Sequence, residues 1–160
     1  MAGTPEAHPY LDSPIHEYLG IQYLKTTPEL VTARMKVTER NRQPDNLLHG
    51  GVSVLLAEGL VSRGARATGA HAVGVEINAN HVRGAPVGST VYAEGRPLKA
   101  GRSLQVWEVR LYMEPQNKVD DSDIAKFGKL VCVSRCTLGV NLGQKPPKEA
   151  PEMSHKLAKL

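Results

Sequence analysis

The chain has 160 residues, 41% of them hydrophobic, so it is long enough to bury one core without disulfides or a structural metal. Its net charge of +4 would suit nucleic acid, but only 4% of its residues are aromatic, which argues against a base-stacking surface. No apolar stretch approaches the roughly 18 residues of a membrane span, and the first residues lack the basic and then apolar order of a secretory signal. We therefore expect one soluble, non-secreted domain that binds neither nucleic acid nor membrane.

The first half of the chain predicts two strands followed by a long helix. After a short amphipathic start at residues 14–19, apolar and polar residues alternate over 21–25 and 30–37, with a turn between them. A polar loop at 39–46 then halts regular structure. Residues 51–66 are apolar on almost every face, which predicts one buried helix enclosed by other elements.

The second half predicts strands, because apolar residues recur at every second position. Four such segments follow the helix, at residues 73–83, 89–98, 103–113 and 129–140. We expect them to be antiparallel and consecutive, with the acidic connection 114–126 as the most dispensable internal segment. Cys132 and Cys136 lack the neighbours of a zinc site and are expected to be reduced core residues. Two strands, a helix and four strands predict an α+β domain whose curved antiparallel sheet wraps one helix.

Glu58 is the candidate catalytic residue, since it is the only ionisable residue between Val52 and Val61. Burying a carboxylate in an apolar run costs several kcal/mol unless something compensates for it, so its position calls for a reason. The alternative is that Glu58 faces solvent or pairs with Arg63 or Arg66.

Two further features accompany Glu58. His49 is followed by Gly50 and Gly51 at the expected start of the helix, where free backbone N–H groups can polarise a carbonyl oxygen. The alternative is that the two glycines simply make the turn, with His49 as a cap. Ser62 lies four residues after Glu58 and hence on the same helical face, although it could equally be a small residue in a packed helix.

These residues carry a family resemblance. Residues 43–51, with the sequence QPDNLLHGG, and then Ala57 and Glu58 resemble the hotdog thioesterases related to 4-hydroxybenzoyl-CoA thioesterase. Residues 76–83 (EINANHVR) and 101–107 (GRSLQVW) further resemble the branch that hydrolyses 1,4-dihydroxy-2-naphthoyl-CoA in phylloquinone (vitamin K1) biosynthesis. The resemblance covers residues 21–142, and it implies a hotdog domain at 20–142 after an extension at 1–19.

The resemblance also implies roles for individual residues. Glu58 is expected to be the nucleophile or general base and Gly50 the carbonyl-polarising N–H donor, and the supporting positions are Gln43, His49 and Ser62. The expected contacts of the substrate's CoA arm and nucleotide phosphates are His81, Val82, Arg83, Gly101, Arg102 and Ser103. No metal and no separate cofactor are implied, because CoA is part of the substrate.

The roles of Gly50 and Glu58 predict a shared site. They are eight residues apart, or roughly 12 Å along one helix, which is too far for both to meet one carbonyl group. We therefore expect a homodimer, or a dimer-of-dimers tetramer, in which one subunit supplies Gly50, Gln43 and His49 and its partner supplies Glu58 and Ser62.

Two other functions compete with hydrolysis. A hotdog hydratase or dehydratase would need a His with an acid partner at the second and third acyl carbons, and a non-catalytic acyl-CoA-binding protein would need no buried carboxylate. Glu58, following His-Gly-Gly within the helix, favours the hydrolase over both.

The C-terminal segment is expected to act in targeting. Residues 143–160 contain several prolines and lysines with little apolar periodicity, which predicts a flexible tail. The tail ends in Ala158, Lys159 and Leu160, which resemble the Ser-Lys-Leu peroxisomal signal. We therefore expect a peroxisomal protein that the import receptor binds through this tripeptide.

Overall fold

The computed structural model describes residues 13–117 and 119–142, so the predicted tail and its terminal tripeptide lie outside the described residues. The elements in chain order are α1 (Pro14–Tyr18), β1 (Gln22–Thr26), β2 (Val31–Lys36), α2 (Gly50–Arg66), β3 (Ala72–His81), β4 (Thr90–Ala100), β5 (Leu104–Met113), a 3-10 turn (Asp121–Asp123), α3 (Ile124–Phe127) and β6 (Lys129–Val140). The predicted strands and long helix are all present, each within a few residues of its expected bounds.

The six strands form one antiparallel sheet in the order β1-β2-β4-β5-β6-β3. The expectation that the last four strands are consecutive neighbours is wrong, because β3 pairs with β6 at the sheet edge and not with β4. The β3–β4 connection explains the difference: Leu48 N–H donates to the Ala85 carbonyl at 2.8 Å, and Leu47 bridges Pro86. These contacts draw the chain across to the β2–α2 loop, so that β4 enters the sheet beside β2.

The helix α2 packs on the inner face of the sheet, and the two come unusually close. A Cβ at Gly64 would lie 2.4 Å from Cη2 of Trp107 and 2.8 Å from Cγ2 of Val31, so only glycine lets the buried indole pack against the helix backbone. Trp107 is fully buried, and its indole N–H donates to Gln105 Oε1 at 2.9 Å. This contact anchors α2 in the core of the domain.

The helix is not enclosed on all sides, contrary to the sequence-based expectation. Leu56 and Leu60 are fully buried, whereas Leu55, Glu58 and Ser62 on the opposite side are only half-buried. The apolar run of α2 therefore reflects one face in the core and a second face that is partly uncovered in the single chain.

Within the described part of the chain, no helix has the length and apolar character needed to cross a membrane.

The acidic connection between β5 and β6 has a small core of its own. Ile124 is 1% exposed and packs with Tyr92 and Tyr112 on the outer face of the sheet. Arg34 of β2 forms ion pairs with Glu114 and, at 2.7 Å, with Asp121. The expectation that this segment is dispensable is therefore not supported, because it is fixed to the sheet by both apolar and charged contacts.

Candidate active site

The loop before α2 is organised by Asn41, whose role was not predicted. Asn41 is 1% exposed; its Oδ1 accepts from the Thr38 N–H at 2.8 Å, and its Nδ2 donates to the Lys36 carbonyl at 2.9 Å. Its own carbonyl accepts from the His49 N–H at 2.9 Å. Asn41 thus holds both ends of the loop that carries the predicted site residues into α2, the first end through its side chain and the second through its backbone carbonyl. A polar side chain in a polar loop gave no sequence signal for this.

Gln43 lies at the tip of the same loop. Its Oε1 accepts from the Asp45 N–H at 2.7 Å, and its backbone N–H donates to the Leu47 carbonyl at 2.7 Å. Asn46 takes a positive φ of 61°, a conformation that asparagine tolerates better than most residues. The turn places Gln43 in the lining of a cavity beside the start of α2.

His49 is the N-cap of α2. It is exposed and extended, and its Nδ1 accepts from the Gly51 N–H at 2.9 Å. The capping alternative is therefore realised, and the cap satisfies one of the orphan N–H groups at the helix start. Among the described residues, no acceptor bonds the neighbouring Gly50 N–H, so that donor remains available to an incoming carbonyl oxygen.

His81, at the end of β3, lies directly against Gly50. A Cβ at Gly50 would be 3.3 Å from Cε1 and 3.5 Å from Nε2 of the imidazole, so a side chain at Gly50 would crowd the ring and displace it by a few tenths of an ångström. The two residues meet in a cavity of about 420 Å³ that is lined by Gln43, Leu47, Leu48, Gly50, Ser53, His81, Val82, Arg83, Gly84, Ala85 and Val131. The structure thus brings the predicted His81, Val82 and Arg83 together with Gln43 and Gly50.

Glu58 and Ser62 form a second group of predicted site residues, which begins about two helical turns after Gly50 on α2. The Ser62 hydroxyl donates to Glu58 Oε1 at 2.7 Å, as their four-residue spacing predicts. Gly74 of β3 lies beneath the carboxylate, since a Cβ there would be 3.2 Å from Oε1. Sequence reasoning missed Gly74, although a glycine inside a strand signals a close approach of another group.

The two groups do not meet within one chain. Glu58 does not line the cavity that contains Gly50 and Gln43, and the eight residues between Glu58 and Gly50 amount to roughly 12 Å of helix. In the single chain, the carboxylate and the predicted carbonyl-polarising donor therefore stand apart.

The second predicted CoA-binding segment lies at the other end of the sheet. Gly101, Arg102 and Ser103 make the β4–β5 turn, in which the Gly101 N–H donates to the Leu104 carbonyl at 3.0 Å. Arg102 and Ser103 are exposed, and the Ser103 carbonyl accepts from the Val140 N–H at 2.9 Å, beside the start of β3. His81 ends the same ten-residue strand, roughly 30 Å away. One chain does not join the two predicted CoA-binding segments.

The sequence profile of the Thioesterase superfamily matches residues 45–119, from the loop before α2 to the segment after β5. The 1,4-dihydroxy-2-naphthoyl-CoA thioesterase 2 of Arabidopsis thaliana is 38% identical over 130 residues, which cover 80% of this chain and 79% of the relative. The chain belongs to the thioesterase superfamily. The proofreading thioesterase EntH of Cronobacter turicensis is also 38% identical over 127 residues, which cover 78% of this chain and 83% of the relative.

The fold agrees with this membership. The crystal structure of thioesterase HI1161 from Haemophilus influenzae superposes with a TM-score of 0.71 at 36% identity, over 88% of this chain and 92% of that one. The expected hotdog fold is thereby confirmed, and the chain is an acyl-CoA thioesterase, a thioester hydrolase.

The buried thiols of this thioesterase are poor candidates for the nucleophile. Burial raises the pKa of the Cys136 thiol to about 11, and the nearby charges of Glu58 and Glu76 act in the same direction. Burial also raises the pKa of Cys132. A thiol that stays protonated near neutral pH is a weak nucleophile, so neither cysteine is a good candidate for attack on a thioester.

Proposed function

We propose that this thioesterase hydrolyses an aromatic acyl-CoA, 1,4-dihydroxy-2-naphthoyl-CoA, to 1,4-dihydroxy-2-naphthoate and CoA in phylloquinone biosynthesis. The observation that carries hydrolysis is the Glu58 carboxylate, held by Ser62 on the half-buried face of α2. The choice of acyl group is supported by the plant relative and by the segments 76–83 and 101–107.

The proposed reaction needs two groups at the thioester carbonyl. The Gly50 N–H polarises the carbonyl oxygen at the positive end of α2. Glu58 either attacks the carbonyl carbon to form an anhydride that water then opens, or removes a proton from an attacking water. By either route the C–S bond breaks and one water is consumed: over the complete cycle it replaces the sulfur with oxygen on the acyl carbon and supplies the proton that converts the departing CoA thiolate to the thiol.

We propose that the two groups meet across a dimer in which the β3 edges pair. β3 is an edge strand that pairs, among the described strands, with β6 alone, so the backbone groups along its outer edge can pair with another strand. In an antiparallel pair with a twofold axis near the middle of β3, close to Ile77, His81 of one subunit lies opposite Gly74 of the other. Because His81 contacts Gly50 and Gly74 contacts Glu58, this pairing brings Gly50 to Glu58 of the second subunit.

The same pairing would bring the two predicted CoA-binding segments, which lie far apart in one chain, together across the dimer. It places the start of one β3 beside the end of the other, so Arg102 of one subunit approaches Arg83 of its partner. Guanidinium groups from both chains could then bind the phosphates of one CoA. We propose this dimer as the catalytic unit, either alone or as half of a dimer-of-dimers tetramer.

Thiol release distinguishes the candidate reactions. The purified enzyme should release CoA from 1,4-dihydroxy-2-naphthoyl-CoA with a higher kcat/KM than from hexanoyl-CoA, and it should not hydrate crotonyl-CoA. Hydration of crotonyl-CoA without thiol release would instead identify a hydratase. Binding of acyl-CoA with neither reaction would identify a carrier.

Subunit exchange tests the shared site. Glu58→Ala lacks the carboxylate, and Gln43→Ala with His49→Ala cripples the Gly50 side, so a mixed dimer contains one intact site of two. After exchange at equal concentrations, half of the dimers are mixed, and activity should recover to about one quarter of the wild-type value per subunit. No recovery, with mixed dimers proven by native mass spectrometry, would return both groups to one chain.

We also propose that the enzyme is peroxisomal. The support is the terminal tripeptide Ala158, Lys159 and Leu160, a small-residue variant of the peroxisomal signal that an import receptor binds.

A further inference from the structure

Ser53, in the first turn of α2, is a buried polar residue without a hydrogen-bond partner. It is 1% exposed and lines the cavity beside Gly50. A serine within a helix often donates its hydroxyl to the backbone carbonyl four residues earlier, which here belongs to His49. Ser53 does not make that bond, and none of the described residues bonds its hydroxyl in another way. The hydroxyl therefore carries a desolvation cost that an alanine would avoid.

The Ser53 hydroxyl is not sealed inside the core. It has no partner, yet Oγ is not cut off from solvent, so the small accessible remainder of this residue includes the hydroxyl oxygen. Ser53 is one of the lining residues of the cavity, and this cavity is the space that the remainder faces. The hydroxyl is thus free to bond a molecule that enters the cavity.

The free hydroxyl lies close to the free N–H of Gly50. The two residues are three positions apart and hence on one face of α2, with about 5–6 Å between their Cβ positions. Helical side chains lean toward the N-terminus, which places the Ser53 side chain over the turn that begins at Gly50.

The other backbone N–H groups of this turn are already bonded. The N–H groups of Gly51, Val52 and Ser53 all donate to His49. Only the Gly50 N–H, of the four that open the helix, has no acceptor among the described residues. Two unused donors, one N–H and one hydroxyl, therefore face the same part of the cavity at the positive end of α2.

We propose that the Ser53 hydroxyl is a second hydrogen-bond donor to the thioester carbonyl oxygen and completes, with the Gly50 N–H, a two-donor oxyanion site. This inference rests on the proposed function, which places that oxygen at Gly50. Two donors that each stand about 3 Å from one oxygen can be up to roughly 6 Å apart, a separation that positions three residues apart on a helix satisfy.

The proposed role follows the charge during the reaction. When the carbonyl carbon is attacked, the π electrons of the C=O bond move to oxygen, and both hydrogen bonds strengthen. They weaken again when the C–S bond breaks and the carbonyl re-forms. No bond to Ser53 forms or breaks. Among the described residues no base bonds its hydroxyl, so Ser53 lacks the activation that a serine nucleophile requires.

The test measures thiol release by Ser53→Ala from 1,4-dihydroxy-2-naphthoyl-CoA and from hexanoyl-CoA. Because the lost bond is stronger in the transition state than in the bound substrate, kcat should fall roughly 10- to 100-fold while KM changes by less than about twofold. The factor should be the same on each thioester that the wild type hydrolyses, since both contain the same carbonyl. The melting temperature should equal or exceed that of the wild type, because no partner is lost.

Two controls separate this role from a contact with CoA and from a structural role. Free CoA has the amide-containing arm but no thioester carbonyl, so its inhibition constant should be the same for Ser53→Ala and the wild type. Ser134 is also 1% exposed, but its hydroxyl donates to the Asn78 carbonyl at 2.7 Å. Ser134→Ala should therefore lower the melting temperature and keep the wild-type kcat.

Each outcome decides for or against the second donor. An unchanged kcat for Ser53→Ala would overturn the inference and leave the proposed function standing, because the wild type would still hydrolyse the thioester. A weaker inhibition by CoA would place the hydroxyl on the CoA arm, and a melting temperature lowered as in Ser134→Ala would make its role structural; both results contradict the inference. If the wild type hydrolyses neither thioester, the proposed function fails and the inference fails with it.

Discussion

Gly74 gives the sharpest test of how the Glu58 carboxylate, the proposed nucleophile or base, is positioned. An alanine Cβ at this position would stand 3.2 Å from Glu58 Oε1, closer than an ordinary van der Waals contact. The carboxylate must therefore move by a few tenths of an ångström, and its 2.7 Å bond from Ser62 must lengthen or turn. Because a misplacement of about 1 Å can cost ~10²-fold in rate, we expect kcat of Gly74→Ala to fall roughly tenfold.

The control for this substitution is Gly95→Ala. Gly95 also lies on a strand beneath α2, but the nearest atom to its Cβ position is 3.6 Å away, on Leu60 or Val109. This variant should keep the wild-type kcat. Thiol-release kinetics should be measured for both, with melting temperature and light-scattering mass, since Gly74 also lies on the proposed dimer edge. A wild-type kcat for dimeric, folded Gly74→Ala would refute the positioning of Glu58 by Gly74.

Three further predictions concern catalysis, stability and location. Glu58→Gln should fold normally and lose at least ~10²-fold in kcat, because an amide can neither attack nor act as a base; turnover near the wild-type rate would remove Glu58 from the mechanism. Gly64→Ala should lower the free energy of unfolding by about 1–3 kcal/mol in urea titrations, since its Cβ would stand 2.4 Å from the Trp107 ring; an unchanged value would contradict the close helix–sheet packing. Deleting residues 158–160 should leave kcat unchanged and a fluorescent fusion in the cytosol; peroxisomal fluorescence in cells without the intact subunit would contradict the signal.

The sequence by itself determined the helix and strand segments and one contact of the proposed site. The strands were predictable because alternating burial leaves a period of two, and α2 because a long apolar run follows two glycines. The Glu58 to Ser62 hydrogen bond was predictable as well, since a spacing of four residues places both on one helical face.

Several features depended on the tertiary structure, because local periodicity indicates which face of a strand is buried but not which strand lies beside it. Long-range contacts of the 82–89 connection decide that β3 lies at the sheet edge, beside β6. The same contacts place His81 against Gly50 in the cavity. Glu58 and Arg102 do not line this cavity.

Gly59 and Gly74 show the same difference between what the sequence indicates and what the tertiary structure decides. The sequence identifies Gly59 and Gly74 as residues without side chains, but not what fills the space above them. Folding brings His16 to Gly59 and Glu58 to Gly74 from positions 43 and 16 residues away along the chain. Contacts at such separations are set by the packing of whole elements, and they determine where the Glu58 carboxylate and the His16 imidazole lie.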